Sequence, residues 1–355
     1  MGNAVDYINW RGDLSFDAAP VNELDVFIFS QIIAPDFRGL IEKDGSSVTL
    51  KEVADKYFES HSEEKKNLGL LQSEFVLPSL KAMSKSVRYK DLLLSRYIHK
   101  IKTSTSEQFC GLSIECPGNF LSVIFQGTDD TITGWKEDFE LAARETVASH
   151  LDAVRYLNKA VRCSDAEKVF VSGHSKGGNL AIYSAVNADK DVRDRITAAI
   201  SFDGPGFRDT FFDSENYIEM KKRLVTVLSD YSFVGLMLKL AGRRVIVKSS
   251  VSGPMAHDGF NWEAMGTKFV KTPRLSHRSQ KFDRVIDELL TNYNEKDRLK
   301  LTDEIFSILL STGAVTVTDL TELHLKDKAA LFQKLSQNPV VGSFIKLLFN
   351  SILNS

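Results

Sequence analysis

The sequence predicts an α/β fold in which a mostly parallel sheet carries helices on both faces. Two observations lead to this fold class. From about residue 168 to residue 248, short apolar runs alternate with helical or irregular connections, which is typical of parallel strands joined by crossovers. The run 168–172 is rich in β-branched and aromatic residues, and it ends in a sharp glycine-rich turn that leads directly into a helical pattern.

The chain divides into three parts on this pattern. We expect residues 1–100 to form a helical segment packed on the core, residues 101–280 to form the α/β core, and residues 281–355 to form a helical extension. In the first part, Thr49 followed by Glu52 is a capping box that marks the start of a helix. The helices predicted there are 22–34, 49–60, 73–83 and 89–94.

The core is predicted to begin with a hairpin, in which the turn Pro117-Gly118-Asn119 joins strands 105–115 and 119–125. The other core elements are a helix at 136–161, a strand at 168–172, a helix at 179–188, and strands at 196–202, 224–228 and 244–248. In the tail, apolar residues recur at helical spacing with no strand between them. The helices predicted there are 282–292, 298–310, 320–335 and 340–352.

Composition and charge exclude several classes of protein. The 355 residues carry a net charge of −2, which gives no electrostatic basis for binding nucleic acid. No apolar run has the length of a membrane span, and residues 1–11 lack the features of a secretory signal. Three cysteines are too few for a disulfide framework, so we expect free thiols in the cytoplasm. The oligomeric state is not fixed by the sequence.

The segment 169–181 contains the most informative motif. Gly173-His174-Ser175-Lys176-Gly177 joins a predicted strand to a predicted helix, which is the position of a G-x-S-x-G nucleophile elbow. Such a turn is strained and crowded, so residues without a Cβ are favoured around the serine. The helix start also directs free N–H groups toward an anion that forms there. Ser175 is therefore the predicted nucleophile.

A serine nucleophile needs a base, and of the three histidines that follow Ser175 in the chain, two are candidates for it. His257 lies in a turn-rich loop after the last predicted core strand, and it is the predicted base. His277 is the alternative, although it also suits a surface loop or a helix cap. His174 lies inside the motif and is expected to point away from the nucleophile, and His324 is expected on a solvated tail helix.

Two aspartates compete for the role of the acid that orients the base. Asp230 follows the strand 224–228, from which a carboxylate reaches a histidine on the next loop, and it is the predicted acid. Asp203 follows the strand 196–202, but the Gly-Pro-Gly after it also suits a carboxylate that caps its own turn.

An oxyanion hole needs two donors. The backbone N–H of Lys176, directly after the nucleophile, is the first predicted donor. The second is expected from a loop after an early strand, where Gly127-Thr128 follows the run 123–126. Thr128 offers its N–H, its hydroxyl or both, although Gly127-Thr128 also suits an ordinary turn.

These segments together resemble the class 3 (fungal-type) lipases. Phe125-Gln126-Gly127-Thr128, with Trp135 and Asp138 downstream, resembles their F-R-G-[ST]…W…D segment, and 173–181 resembles their G-H-S-L-G-G-A-L-A. The segments 201–207, 225–230 and 256–262 are similar to those that follow in the same order. Trp10 to Phe16 and Phe202-Asp203-Gly204-Pro205-Gly206-Phe207 further resemble the Mbeg1-like family of bacterial α/β-hydrolases, over most of the chain.

The resemblance implies a lipase-like α/β-hydrolase fold and leaves the substrate open. Gln126 replaces the usual Arg and Lys176 the usual Leu or Met, so it does not extend to fungal-type triglyceride specificity. We expect a serine esterase that acts on a small or lipid-like acyl substrate without a metal or organic cofactor. An amidase, a thioesterase or an acyltransferase would use the same triad, and a non-catalytic binding protein on this fold is a further alternative. The apolar stretch 231–242 suits a lid, an acyl-pocket wall or a buried connecting helix.

Overall fold

The computed structural model describes residues 2–43, 45–61, 68 and 72–342. Its centre is an eight-stranded sheet in which the strands stand in chain order, from β1 to β8. The pairs β1–β2, β2–β3 and β3–β4 are antiparallel, and every pair from β4 to β8 is parallel. The mostly parallel α/β fold predicted from the sequence is confirmed.

The strands of the main sheet cover most of the predicted runs. They are β1 (Val48–Thr49), β2 (Leu93–Lys102), β3 (Glu107–Cys116), β4 (Phe120–Phe125), β5 (Lys168–His174), β6 (Ile196–Phe202), β7 (Leu224–Ser229) and β8 (Arg243–Val247). A separate two-stranded ribbon is formed by β9 (Ala264–Met265) and β10 (Lys268–Phe269). The predicted hairpin is present, because Cys116 pairs with Phe120 across the turn that joins β3 to β4.

Helices precede, connect and follow these strands. They are α1 (Ala4–Arg11), α2 (Glu23–Gln31), α3 (Leu50–Ser60), α4 (Val76–Met83), α5 (Ile132–Leu141), α6 (Ala148–Arg162), α7 (Lys176–Asn187), α8 (Lys190–Arg195), α9 (Glu215–Met220), α10 (His277–Asn292), α11 (Glu295–Leu310), α12 (Val317–Glu322) and α13 (Leu325–Gln337). The predicted capping box is present at α3, where the Glu52 N–H donates to Thr49 Oγ1 at 3.2 Å and the Thr49 N–H donates to Glu52 Oε2 at 3.0 Å. Within the described ranges, no helix is both long and apolar enough to cross a membrane.

The sheet separates two apolar clusters. On one face, helix α2 packs on β4 and β5, with Phe27 and Phe29 fully buried in a cluster that includes much of the N-terminal segment. On the other face, α6 and α7 pack on β3, β5 and β6 and bury residues such as Leu157 and Leu180. This sandwich fixes the carboxyl ends of β4 to β8 at one edge, where a ligand site is expected in an open α/β sheet.

A buried ionic cluster joins distant parts of the N-terminal segment to one another. The guanidinium of Arg88 donates to both carboxylate oxygens of Asp25, from Nε at 2.8 Å and from Nη2 at 2.5 Å. The hydroxyls of Tyr7 and Tyr89 donate to the same carboxylate, at 3.1 and 2.7 Å. Because both ionic side chains are completely buried, removing either one would leave an unpaired charge in the interior.

Two regions before the tail differ from the predicted elements. Residues 89–94 were expected to be helical, but Leu93 begins β2, which belongs to the main sheet although it lies in the first of the three predicted parts. The predicted helix 136–161 is two helices, α5 and α6, because the chain turns between them. Arg298 and Arg208 donate to the carbonyls of Ala142 and Ala143 in this turn, at 2.7 and 2.6 Å.

The tail is helical, as predicted, in the part that the structure describes. Helix α11 packs on α5 through a small cluster of Ile132, Phe306 and Ala314. The predicted helix 320–335 corresponds to two helices, α12 and α13. Most of the predicted helix 340–352 lies outside the described residues. The division of the chain into three parts stays a prediction.

Candidate active site

Ser175 lies between β5 and α7 in a strained backbone conformation. Its φ of 56° and ψ of −132° are unusual for a residue with a side chain. A Cβ at Gly173 would lie 2.2 Å from the carbonyl carbon of Gly177, and one at Gly177 would lie 2.1 Å from the carbonyl oxygen of Phe125. The glycines are therefore required by close backbone contacts on both sides of the serine. This is the local geometry expected of a nucleophile elbow.

His257 is paired with Asp203. Its Nδ1 lies 2.7 Å from Asp203 Oδ2, and the aspartate side chain is completely buried while the histidine side chain is 26% exposed. The other carboxylate oxygen, Oδ1, accepts a hydrogen bond from Ser232 Oγ at 2.5 Å. With the proton on Nδ1 donated to the carboxylate, the neutral imidazole presents an unprotonated Nε2 that can accept a proton.

Asp230 does not take the predicted place of the acid. Its Oδ1 accepts a hydrogen bond from the Ser249 N–H at 3.0 Å, and its backbone N–H donates to the Val247 carbonyl at 2.8 Å. The carboxylate thus ties β7 to the chain that follows β8, and the partner of His257 is Asp203. The structure thus pairs His257 with Asp203, the alternative, and not with Asp230, the predicted acid.

Asp203 is held in place by the turn after β6. It adopts a left-handed φ of 52°, and its N–H donates to the Val227 carbonyl at 2.8 Å. A Cβ at Gly235 would lie 2.5 Å from Asp203 Oδ1, so the connection after β7 closes over the carboxylate. The stretch 231–242 is thus an irregular connection with one short 3₁₀ turn at Val234–Leu236, and the helix considered for it is absent.

A second buried network fixes the turn that carries Asp203. The His150 Nδ1 accepts a hydrogen bond from the Val147 N–H at 3.2 Å, so its Nε2 donates to Asn179 Oδ1 at 2.7 Å. The Asn179 amide then donates to the carbonyls of Pro205 and Gly206, at 3.2 and 2.9 Å. Burial lowers the pKa of His150 to about 4, which keeps the ring neutral at physiological pH.

His174 supports the His257 loop from the elbow side. Its Nε2 donates to the His257 carbonyl oxygen at 2.8 Å, and the two rings lie 4.6 Å apart between centroids. Burial lowers the pKa of His174 to about 3, so the ring stays neutral and keeps this donor. The sequence motif placed His174 away from the nucleophile, and it gave no signal for this contact.

The loop that carries His257 rests on aromatic side chains of the N-terminal segment. Trp262 is completely buried, and its Nε1 donates to the Ala256 carbonyl at 2.8 Å. The Phe27 ring of α2 lies 5.6 Å from the Trp262 ring and 5.7 Å from the Phe260 ring, between centroids. A Cβ at Gly259 would lie 2.4 Å from the Phe27 ring, so the loop and α2 are in direct contact.

Thr128 lies beside the elbow. A Cβ on the preceding Gly127 would lie 2.8 Å from the His174 carbonyl oxygen and 3.2 Å from Ser175 Cβ, so this turn contacts the nucleophile backbone. The Thr128 hydroxyl donates to Asp138 Oδ2. Burial raises the pKa of Asp138 to about 6, and its Oδ1 is buried without a hydrogen-bond partner among the described residues.

The side chain of Lys176 turns into the protein. It is 1% exposed, and its Nζ donates to the Gln108 carbonyl at 2.9 Å, to Gln108 Oε1, and to Glu137 Oε2 at 3.1 Å. Glu137 also accepts hydrogen bonds from the Gln108 and Ser149 N–H groups, each at 3.0 Å. The charge is therefore paired inside the fold, and the backbone N–H of Lys176 lies in the first turn of α7, where N–H groups lack helical partners.

The described part of the chain contains no candidate metal site. There, no group of three or more His, Cys, Asp or Glu side chains has an arrangement that could hold a metal ion. The three cysteines are free thiols, with Cys110 and Cys116 buried and Cys163 exposed.

Comparison with known proteins finds one matching family model and several solved structures with low sequence identity. The model of the Mbeg1-like family matches residues 83–307, and no curated protein gives a significant match. The similar solved structures include M37 lipase, with 14% identity over 60% of this chain and 69% of that chain, and a TM-score of 0.39. A fungal lipase–inhibitor complex has 14% identity over 55% and 88% of the two chains, with a TM-score of 0.38. Lip2 lipase from Yarrowia lipolytica has 11% identity over 66% and 84%, with a TM-score of 0.36.

Proposed function

This chain belongs to the Mbeg1-like family, and we propose that it is a serine hydrolase that cleaves carboxylic esters. The observation that carries the proposal is the 2.7 Å contact between His257 Nδ1 and the buried Asp203 carboxylate, beside a serine in a strained elbow. A structural ion pair alone would not explain why Ser175 is held at a positive φ.

In the acylation step, Ser175 Oγ bonds to the acyl carbon while His257 Nε2 takes the hydroxyl proton. The carbonyl π electrons move to oxygen, and the N–H groups of Lys176 and Thr128 donate to the resulting oxyanion. Collapse of this intermediate breaks the bond to the leaving alcohol, which receives the proton from His257. Water then repeats the sequence on the acyl-enzyme and releases the carboxylate.

Asp203 holds His257 in the required tautomer and stabilises the imidazolium that forms in each step. Because the Thr128 hydroxyl donates to Asp138, we assign the second oxyanion contact to the Thr128 backbone N–H. The triad supports acyl transfer in general, so an amidase, a thioesterase or an acyltransferase would use the same residues, and the test therefore compares esters with an amide. The free cysteines are consistent with a proposed cytoplasmic setting.

A substrate panel on three proteins tests the proposal. We expect the wild type to hydrolyse p-nitrophenyl esters from acetate to dodecanoate faster than the matching anilide, and Ser175→Ala to lose this activity. Ser172→Ala is the matched control, because Ser172 is a buried serine of β5, the strand before Ser175, and its hydroxyl has no partner in the described region. A fluorophosphonate probe should label the wild type and Ser172→Ala. Full hydrolysis or labelling of Ser175→Ala would exclude Ser175 as the nucleophile.

A further inference from the structure

A groove between β2, β3 and α6 has an apolar floor. It encloses about 290 Å³, and its floor is formed by Ile98, Phe109 and Tyr156. Phe109 and Tyr156 are almost completely buried, with their ring centroids 6.1 Å apart. None of the groove's lining residues belongs to the proposed catalytic residues. The volume is at the lower end of the range for small-molecule sites.

The rim of this groove is strongly basic although the chain as a whole has a net charge of −2. Five Lys or Arg side chains line it, against one carboxylate, Asp152. Lys100 and Arg155 are paired with that carboxylate, at 2.7 and 3.1 Å. The other three basic side chains form no ion pair within the described ranges of the chain, and they are Lys43, Arg96 and Lys159.

Arg96 is held toward the groove by a strained backbone. It adopts a left-handed φ of 57° at the irregularity of β2 between Ser95 and Ile98. Such a bulge re-aims a side chain at a cost in conformational free energy. The Tyr156 hydroxyl, at the floor, donates to the Arg96 carbonyl at 3.0 Å.

Among the described residues, the Arg96 guanidinium donates hydrogen bonds on two sides and has no charged partner. It donates to Ser95 Oγ at 3.1 Å and to the Cys163 carbonyl at 3.5 Å, which are both uncharged acceptors. A Cβ at Gly45 would lie 3.0 Å from Arg96 Nη2, so the chain before β1 also contacts this group. A positioned cation that has no counter-charge in the described part of the chain, next to an apolar floor, suits an amphiphilic anion.

We propose that this groove is a second binding site, which takes a small organic carboxylate. The alkyl or aryl part lies on Ile98, Phe109 and Tyr156, and the carboxylate is held by Arg96 and Lys159, with Lys43 completing the rim. Inorganic phosphate would satisfy the cations but leave the floor uncovered, and a neutral alcohol would do the reverse. This proposal does not depend on the proposed function, because carboxylate binding in the groove involves no hydrolysis.

Calorimetric titration of the full-length protein with octanoate tests this site. Octanol and inorganic phosphate are the comparison probes, because each supplies only one half of the ligand chemistry. The groove variant is Arg96→Gln/Lys159→Gln. The matched control is Lys102→Gln/Lys168→Gln, which removes the same charge from exposed lysines that lie outside the groove. Hydrolysis of p-nitrophenyl acetate is measured on both double variants.

We expect saturable octanoate binding to the wild type and the control, and binding weaker by about tenfold or more to the groove variant, which loses two charged contacts. Octanol and phosphate should bind at least about tenfold more weakly than octanoate. Equal octanoate affinity of the two double variants, equally tight binding of octanol or phosphate, or no saturation would each overturn the proposal. Failure of the proposed function would appear separately, as absent ester hydrolysis in all proteins.

Discussion

Replacing Asp203 by asparagine should remove most of the hydrolytic activity, whereas the same change at Asp230 should leave it almost intact. In Asp203→Asn, the amide oxygen would remain at Oδ1, because Ser232 Oγ donates there. The amide NH₂ would then face His257 Nδ1, at the position of Oδ2. That pairing places the ring proton on Nε2, which can no longer accept the proton of Ser175.

The expected loss follows from this change of tautomer. Turning the base into its wrong tautomer lowers kcat by about 10⁴-fold in a serine triad, equivalent to about 5 kcal/mol of transition-state stabilisation. In Asp230→Asn, the amide oxygen can still accept from the Ser249 N–H, so we expect a change of less than about threefold.

The assay is kcat and KM on a p-nitrophenyl ester for both variants, with thermal unfolding midpoints to confirm that each protein is folded. A small loss at Asp203→Asn, or a larger loss at Asp230→Asn, would refute the geometry on which the proposed triad is based. Equal losses would mean that neither carboxylate orients the base directly.

Two further predictions concern the network behind the acid turn. Asn179→Ala removes the amide that donates to Pro205 and Gly206, so Asp203 would be misplaced. We expect kcat to fall by up to about a hundredfold, with KM nearly unchanged. Steady-state kinetics measure both constants, and a rise in KM alone would contradict this prediction. For His150, the pKa is about 4 in the folded state, below the ordinary value of 6.5, so its contribution to the free energy of unfolding is present above about pH 6.5 and is lost as the pH falls toward about 4. Between about pH 6.5 and about pH 4, the free energy of unfolding, measured with denaturant, should fall by about 3 kcal/mol less in His150→Gln than in the wild type. An equal pH dependence in the two proteins would show that His150 is not the group responsible.

The parallel strands were predictable because their residues are apolar and their ends carry turn residues. The prediction for 196–202 coincides with β6, the prediction for 224–228 ends one residue before β7 does, and the prediction for 244–248 is shifted by one residue from β8. Buried strands of this kind depend little on distant contacts for their recognition in sequence.

The elements that the sequence analysis missed are shaped by features that a local hydrophobic pattern does not reveal. In β2, the bulge at Arg96 interrupts the alternation of buried and exposed residues, so the run lacks the period of two that marks a strand. The break between α5 and α6 is held by Arg208 and Arg298, which lie 65 and 156 residues from the carbonyls that they bind.

The candidate site divides in the same way. Ser175 was predicted as the nucleophile from its immediate neighbours, and His257 as the base from its position after the last core strand. Asp203 and Asp230 both follow strand ends, and the sequence cannot distinguish them by that criterion. The choice depends on Ser232 and Gly235, which close over Asp203 only when the connection after β7 folds back on the turn after β6. Asn179 and His150 were missed because their interaction joins residues 29 positions apart through side chains alone.

The aromatic contact between Phe27 and the loop of His257 bears on how much of the chain makes up the working unit. The family model begins at residue 83, yet Phe27 and the Gly2 bridge to Ala264 support the loop from outside that span. The proposed general base is thus positioned in part by residues that precede the range matched by the family model. A fragment that began at residue 83 would keep the serine, the histidine and the aspartate but would lose this apolar support beneath the loop.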